Sequence, residues 1–181
     1  MTWIQTYTGK RFDLIDPKPE QICMADIAHA LSRACRFTGH TFAHYSVAEH
    51  SVLVSHMVPP SLVCEALLHD AAEAYIGDAT SPLKKAMRAL SDGMPSAYDE
   101  IETGIRHSIF KKFGLQDTHS PLVSEADILA LIAEAAFFFP VQSCDWGLPK
   151  SSIATVPRIY GHESKKAREM FSDRAKELGI S

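Results

Sequence analysis

One stretch limits what this chain can become: LLHDAAEAYIGDATSPLK, from Leu67 to Lys84. Its leucines and alanines ask for a helix in a core, yet His69, Asp70 and Glu73 are threaded among them. A buried imidazole or carboxylate is tolerated only when it is hydrogen-bonded, paired or bound to a cation. Whatever fold forms must bring counterparts to this helix.

The rest of the chain divides at prolines and glycines into segments that could surround it. Residues 1–15 alternate through Trp3, Gln5 and Tyr7, then Phe12 and Leu14, with Gly9 between them, the pattern of a β-hairpin. Ile22, Ile27, Leu31 and Ala34 then recur about one helical turn apart. RFTGHTFAHY, from Arg36 to Tyr45, reads as a loop. Ser46 and Glu49 form an S-x-x-E capping box opening a helix whose stripe is Val47, Leu53, Val54 and Met57, ended by Pro59 and Pro60. Ser61 is placed to cap a further helix that runs to Ile76 and stops at Gly77.

DATSPLKK leads into a short helix, and SDGMPS is a break. Ile101, Ile105, Ile109 and Phe113 mark an amphipathic helix ended by Gly114. Ser120 and Pro121 open the helix that reads as most buried, which reaches Pro140. A loop with Trp146 and a charged helix from about His162 to Leu178 complete the chain. The expected fold is all-α, a mainly helical bundle with a small N-terminal β-hairpin. It forms a single domain over 1–181: hairpin 1–15, catalytic helical core 21–138, and C-terminal loop and helix 139–181.

Composition removes several function classes. A formal net charge of −4 argues against polymeric nucleic acid as a partner, because that needs a basic surface. The cysteines Cys23, Cys35, Cys64 and Cys144 include no CxxC pair, so no zinc ribbon or disulfide framework is expected, and reduced thiols fit a cytoplasmic protein. The start, MTWIQTYTGKR, lacks a signal-peptide pattern, and the most apolar run, ILALIAEAAFFF, is too short for a bilayer and contains Glu134. Apolar residues near Trp146 and over Phe137–Phe139 suit an interface, so a homo-oligomer is expected.

The counterparts to the central helix can be located by spacing. His50 lies nine residues before Pro59 and His69 nine after Pro60, which puts both at one height on antiparallel neighbours. Asp70 and Glu73 share a face with His69. Asp127, within apolar EADILALIAEA, is costly to bury without a cation or partner. His50, His69, Asp70 and Asp127 together make a mixed nitrogen and oxygen set suited to Mn, Co, Fe or Zn, with Mg also possible. Such an ion could acidify a water and polarise a phosphoryl oxygen. Glu73 stands one turn on to handle the water's proton, and Asp78 is placed to protonate a leaving oxygen. Lys84, with Lys85 nearby, could meet phosphate, and Arg36 and Phe37 could clamp phosphate or stack on a base. Each has an ordinary reading alone: a core histidine, a first-turn aspartate, surface lysines. Their coincidence carries the expectation.

AEHS around His50, LLHDAAEAYIGDATSPLK and EADILAL around Asp127 together resemble the HD-domain metal-dependent phosphohydrolases, and within them the compact bacterial 5'-deoxynucleotidases. The likeness runs from Arg36 to about Glu134. It implies a helical fold and a divalent metal held by His50, His69, Asp70 and Asp127. It also implies catalytic roles for Glu73 and Asp78, substrate contacts at Arg36, Phe37 and Lys84, and a small nucleotide as substrate. Phe37 stands where those enzymes carry tryptophan, and the spacing of His50 to His69 is shorter than theirs. YTGKRFDLIDP, DIAHALSRACRFTGHT and YSVAEHS are similar to compact phage-type HD proteins, some of which resemble dATP triphosphohydrolases. Release of orthophosphate or of tripolyphosphate therefore stays open, as does a non-catalytic nucleotide or metal sensor. His40 and His44 could recruit a second metal or serve as loop hydrogen-bonders.

Overall fold

Trp3–Gln5 (β1) and Arg11–Asp13 (β2) pair antiparallel with Ile4 opposite Phe12, so Phe12 points into the core while Gly9 turns the chain at a φ of 84°. The computed structural model describes residues 1–116, 118–139, 146–149 and 151–180; Pro140 and Cys144, read above as a helix stop and a thiol, lie outside them. The α-helices among the described residues are α1 Met24–Leu31, α2 Val47–Ser55, α3 Val63–Leu68, α4 Glu73–Ile76, α5 Ser81–Leu90, α6 Ala97–Lys112, α7 Pro121–Phe138 and α8 Ser164–Glu177. The protein is thus all-α with a small N-terminal hairpin, as its periodicity predicts. No helix among the described residues is long and apolar enough to cross a membrane.

The hairpin is fastened to α1 through Asp26. Its carboxylate accepts from the Thr8 amide (2.7 Å), the Thr8 hydroxyl (2.9 Å) and the Cys23 thiol (3.1 Å). Burial pushes the Asp26 carboxyl up, but these donors outweigh it and hold it below its ordinary value. Phe12 stacks on Tyr75 of α4 at 3.8 Å between ring centroids, which ties the hairpin to the helix after His69.

The central helix is α2, not the more apolar α7. Every residue from Val47 to Ser55 is buried, whereas α7 exposes Leu122, Ile128 and Phe137. The polar residues of α2 obscured this in the sequence, yet most are satisfied internally. Ser46 accepts from the Glu49 amide at its N-terminus (3.3 Å), but the reciprocal half of the capping box is missing. Glu49 turns its carboxylate to the backbone amides of Gly161 (3.1 Å) and His162 (2.7 Å) instead. At the other end Arg174 of α8 donates to the Ser55 hydroxyl (3.1 Å) and carbonyl (3.2 Å). Gly161 is required where it stands: its φ is 75°, and a Cβ there would lie 3.0 Å from the His44 carbonyl and 3.2 Å from the Phe138 ring.

Two expectations for the stretch after α2 are corrected. Ser61 caps nothing, because Pro60, with its φ already helical, opens a 3₁₀ turn over Pro60–Leu62 and α3 begins at Val63. The helix expected to continue to Ile76 is tightened over residues 69–72, where the Ala71 amide bonds to Leu68 O and the Glu73 amide to Asp70 O, each at 3.0 Å. Gly77, at a φ of 78°, then ends α4 as expected.

Candidate metal centre

The sequence brings α2, the tightened turn after α3 and α7 to one point. His50 on α2 is fully buried, and His69 reaches it so that their Nε2 atoms stand 3.2 Å apart. Asp127, nearly two turns into α7, places Oδ1 3.1 Å from His50 Nε2 and 3.9 Å from His69 Nε2. Asp70 Oδ2 lies 3.2 Å from His69 Nε2 and 3.5 Å from His50 Nε2. The ligand atoms of His50, His69 and Asp127 all fall within 4.8 Å of one another. That spread suits atoms held about 2.0–2.2 Å from one ion.

Both imidazoles are turned so that Nε2 is the free ligand atom. His50 Nδ1 donates to Glu134 Oε1 (2.6 Å), and His69 Nδ1 donates to the Ala66 carbonyl (2.8 Å). With each Nδ1 carrying its proton, two nitrogen lone pairs and two carboxylates converge on one space. Such an arrangement is repulsive until a cation enters it, and the residues fit a divalent metal on that ground. Without a metal, a proton on the imidazoles serves as that cation. Burial and Arg36 press the His50 imidazole down, but Glu134 and Asp127 outweigh them and lift it to about 9. Burial pushes Asp70 up, yet His69, His50 and Arg36 hold it well below the usual carboxylate range.

Glu134 is the residue that sequence reasoning missed. It is fully buried and accepts from four donors: His50, the Tyr45 hydroxyl (2.8 Å), Arg36 Nε (3.1 Å) and Arg36 Nη2 (3.0 Å). Burial pushes its carboxyl up, but Arg36 and His50 prevail and hold it at about 2. The available signal was its position seven residues after Asp127, two turns along the same face of α7. Arg36, expected to contact substrate, is thus already engaged by Glu134 and lies 3.7 Å from Asp70 through Nη1.

A cavity of about 630 Å³ opens on the centre. Arg36, Phe37, Asp70, Glu73, Asp78, Lys84, Lys85 and Asp127 all line it, so the structure brings every candidate carboxylate and cation to one chamber. Glu73 is buried with no partner for Oε2; burial, then Asp70 and Asp78, push its carboxyl well above the ordinary value. Burial also raises Asp78, against the pull of Arg36. Lys84 meets Glu102 at 2.7 Å. A second cavity, of about 310 Å³, touches the same centre through His69, Asp70, Lys84 and Asp127.

One reading is revised in part: Phe138 belongs to the core, and Phe139 and Trp146 line the larger cavity, while Phe137 and part of Trp146 stay exposed. Among the described residues His40 and His44 join no converging ligand group; His44 Nδ1 instead donates to the His162 carbonyl at 2.7 Å.

No family model matches the chain. It is similar to YfdR of Escherichia coli (strain K12), 38% identical over 181 residues that cover 96% of each chain. It is also similar to RCAP_rcc00048 of Rhodobacter capsulatus, 35% identical over 122 residues, which cover 62% of this chain and 59% of that protein.

Proposed function

The chain belongs to the family of the Escherichia coli protein YfdR, and we propose that it is a metal-dependent nucleotide phosphohydrolase of the HD type. The reading takes deoxynucleoside 5'-monophosphates as substrate and yields deoxynucleoside and orthophosphate. The observation that carries it is the convergence of His50, His69 and Asp127 ligand atoms, with Asp70 beside them, at the wall of a cavity that also holds an unpartnered buried carboxylate and two lysines.

A divalent metal there (Mn, Co, Fe or Zn, or Mg) supplies Lewis acidity toward a phosphoryl oxygen and lowers the pKa of water. The chain's own groups do the rest. Water adds to phosphorus as the P–O ester bond breaks. With a cation bound beside it to draw its raised carboxyl down, Glu73, free at Oε2, would take the proton that water gives up, and Asp78 would protonate the departing 5'-oxygen. Lys84 and Lys85 balance phosphate charge at the cavity wall. Free thiols at Cys23, Cys35 and Cys64 support a reducing, cytoplasmic setting. The exposed pair Phe42 and Phe137, 5.7 Å apart, supports a homo-oligomer, which light scattering would read directly.

A second reading draws on the smaller cavity. It continues past Asp70 and Asp127 toward Lys84, Arg88 and Arg106, giving room for further phosphates and hence for a deoxynucleoside triphosphate. One product assay tests both: protein stripped of metal, reloaded with Mn, Co, Zn or Mg, and given deoxy- and ribonucleoside mono- and triphosphates. Nucleoside with orthophosphate from monophosphates supports the first reading, and tripolyphosphate from triphosphates the second. No product with any metal overturns both in favour of a nucleotide or metal sensor.

A further inference from the structure

The larger cavity is lined by two chemically different groups: carboxylates and lysines, and three aromatic rings that meet one another. Phe139 stands at the end of α7 with its ring centroid 5.3 Å from Phe37 and 5.0 Å from Trp146, at interplanar angles of 72° and 66°. Phe37 and Trp146 are 6.1 Å apart, which closes the triangle. Leu131 and Leu148 extend the apolar lining. The backbone holds Phe37 at some cost: it and Thr38 both adopt positive φ, 55° and 50°, without being glycine. Trp146 keeps 38% of its surface exposed, so part of the ring is open to a ligand.

We infer that Phe37, Phe139 and Trp146 form a wall that takes the nucleobase of the substrate, with Trp146 as the stacking platform and a determinant of specificity. This rests on the nucleotide reading and adds to it the group that selects a base over a bare sugar phosphate. The size fits, since about 630 Å³ lies within the range of small-molecule sites. The polarity fits as well. A base is a flat ring with an apolar face, and its phosphate belongs with the carboxylates and lysines that line the same cavity. Stacking tolerates any base, so the wall predicts preference for nucleotides as a class.

Trp3 and Trp146 are the only tryptophans, so a Trp3→Phe chain reports Trp146 alone by fluorescence. That protein, loaded with zinc, is titrated with dAMP, dATP and 2-deoxyribose 5-phosphate. The expected result is saturable quenching by a nucleotide and none by the sugar phosphate. Calorimetry with Trp146→Ala in the otherwise native chain should show nucleotide affinity reduced about tenfold and sugar-phosphate affinity unchanged. Equal quenching by the sugar phosphate, absence of quenching by both nucleotides, or unaltered nucleotide affinity in Trp146→Ala overturns the assignment. Hydrolysis of nucleotides with Trp146 unquenched would sink this inference and spare the proposed activity; quenching without hydrolysis would do the reverse.

Discussion

His50 Nδ1 lies 2.6 Å from Glu134 Oε1, across 84 residues of chain and with both side chains fully buried. One carboxylate fixes the tautomer of the imidazole, turns its Nε2 toward Asp127, and neutralises Arg36 beside it. The candidate metal centre and the core are therefore joined through a single side chain.

Glu134→Gln should show that connection. The amide cannot balance Arg36, and it accepts more weakly from His50 Nδ1. Metal affinity should fall about 10- to 100-fold by calorimetric titration. Stability should fall too, by about 3 kcal/mol, because a buried guanidinium loses its charge partner. Unchanged metal affinity would remove Glu134 from the site's support.

Removing a ligand should act on the metal directly. His50→Ala and Asp127→Ala should each retain about tenfold less metal than the native chain after dialysis, read by elemental analysis. Native stoichiometry in both variants would refute the assigned ligands.

Glu73 should divide activity from stability. Glu73→Gln should keep its metal yet lose turnover by about 10²–10⁴-fold. A carboxyl whose folded pKa stands above the unfolded value of 4.5 contributes fully only below that value, and its contribution is lost as pH rises. The metal-stripped variant should therefore melt higher than the native chain at pH 8, by about 1 kcal/mol, and the difference should vanish near pH 4. A native rate in the variant would take Glu73 out of the reaction.

Asp26 gives the opposite sign. Its folded pKa is depressed, so its contribution is complete above 3.8 and is lost as pH falls through the folded value. Asp26→Asn should cost about 1–2 kcal/mol at neutral pH by loosening the Thr8 contacts. The gap between native and variant should narrow in chemical denaturation as pH falls below 3.8. A gap independent of pH would mean that charge at Asp26 is irrelevant.

What the sequence disclosed followed from local rules. Equal spacing of His50 and His69 about Pro59 and Pro60 needs only the geometry of a helical hairpin, and the imidazoles do meet. Glu134 was hidden because its partners Arg36, Tyr45 and His50 lie 98, 89 and 84 residues away. Local periodicity cannot register such distances, and a glutamate among alanines and phenylalanines reads as an interruption. The central place of α2 was masked for a related reason: Glu49 and Ser55 look like surface residues until Gly161, His162 and Arg174 arrive to satisfy them. Phe139 and Trp146 read as an interface because their place in a cavity wall depends on Phe37, far earlier in the chain.

The grip of Glu49 on Gly161 and His162, and of Arg174 on Ser55, bears on how the protein is born. Both histidines leave the ribosome early, while Glu134 and the clasps that steady α2 are made much later. A nascent chain halted before residue 134 lacks the carboxylate that orients the His50 imidazole. Under the proposed metal reading, capture of the ion would belong to a chain translated past Glu134 and steadied by one translated past Arg174.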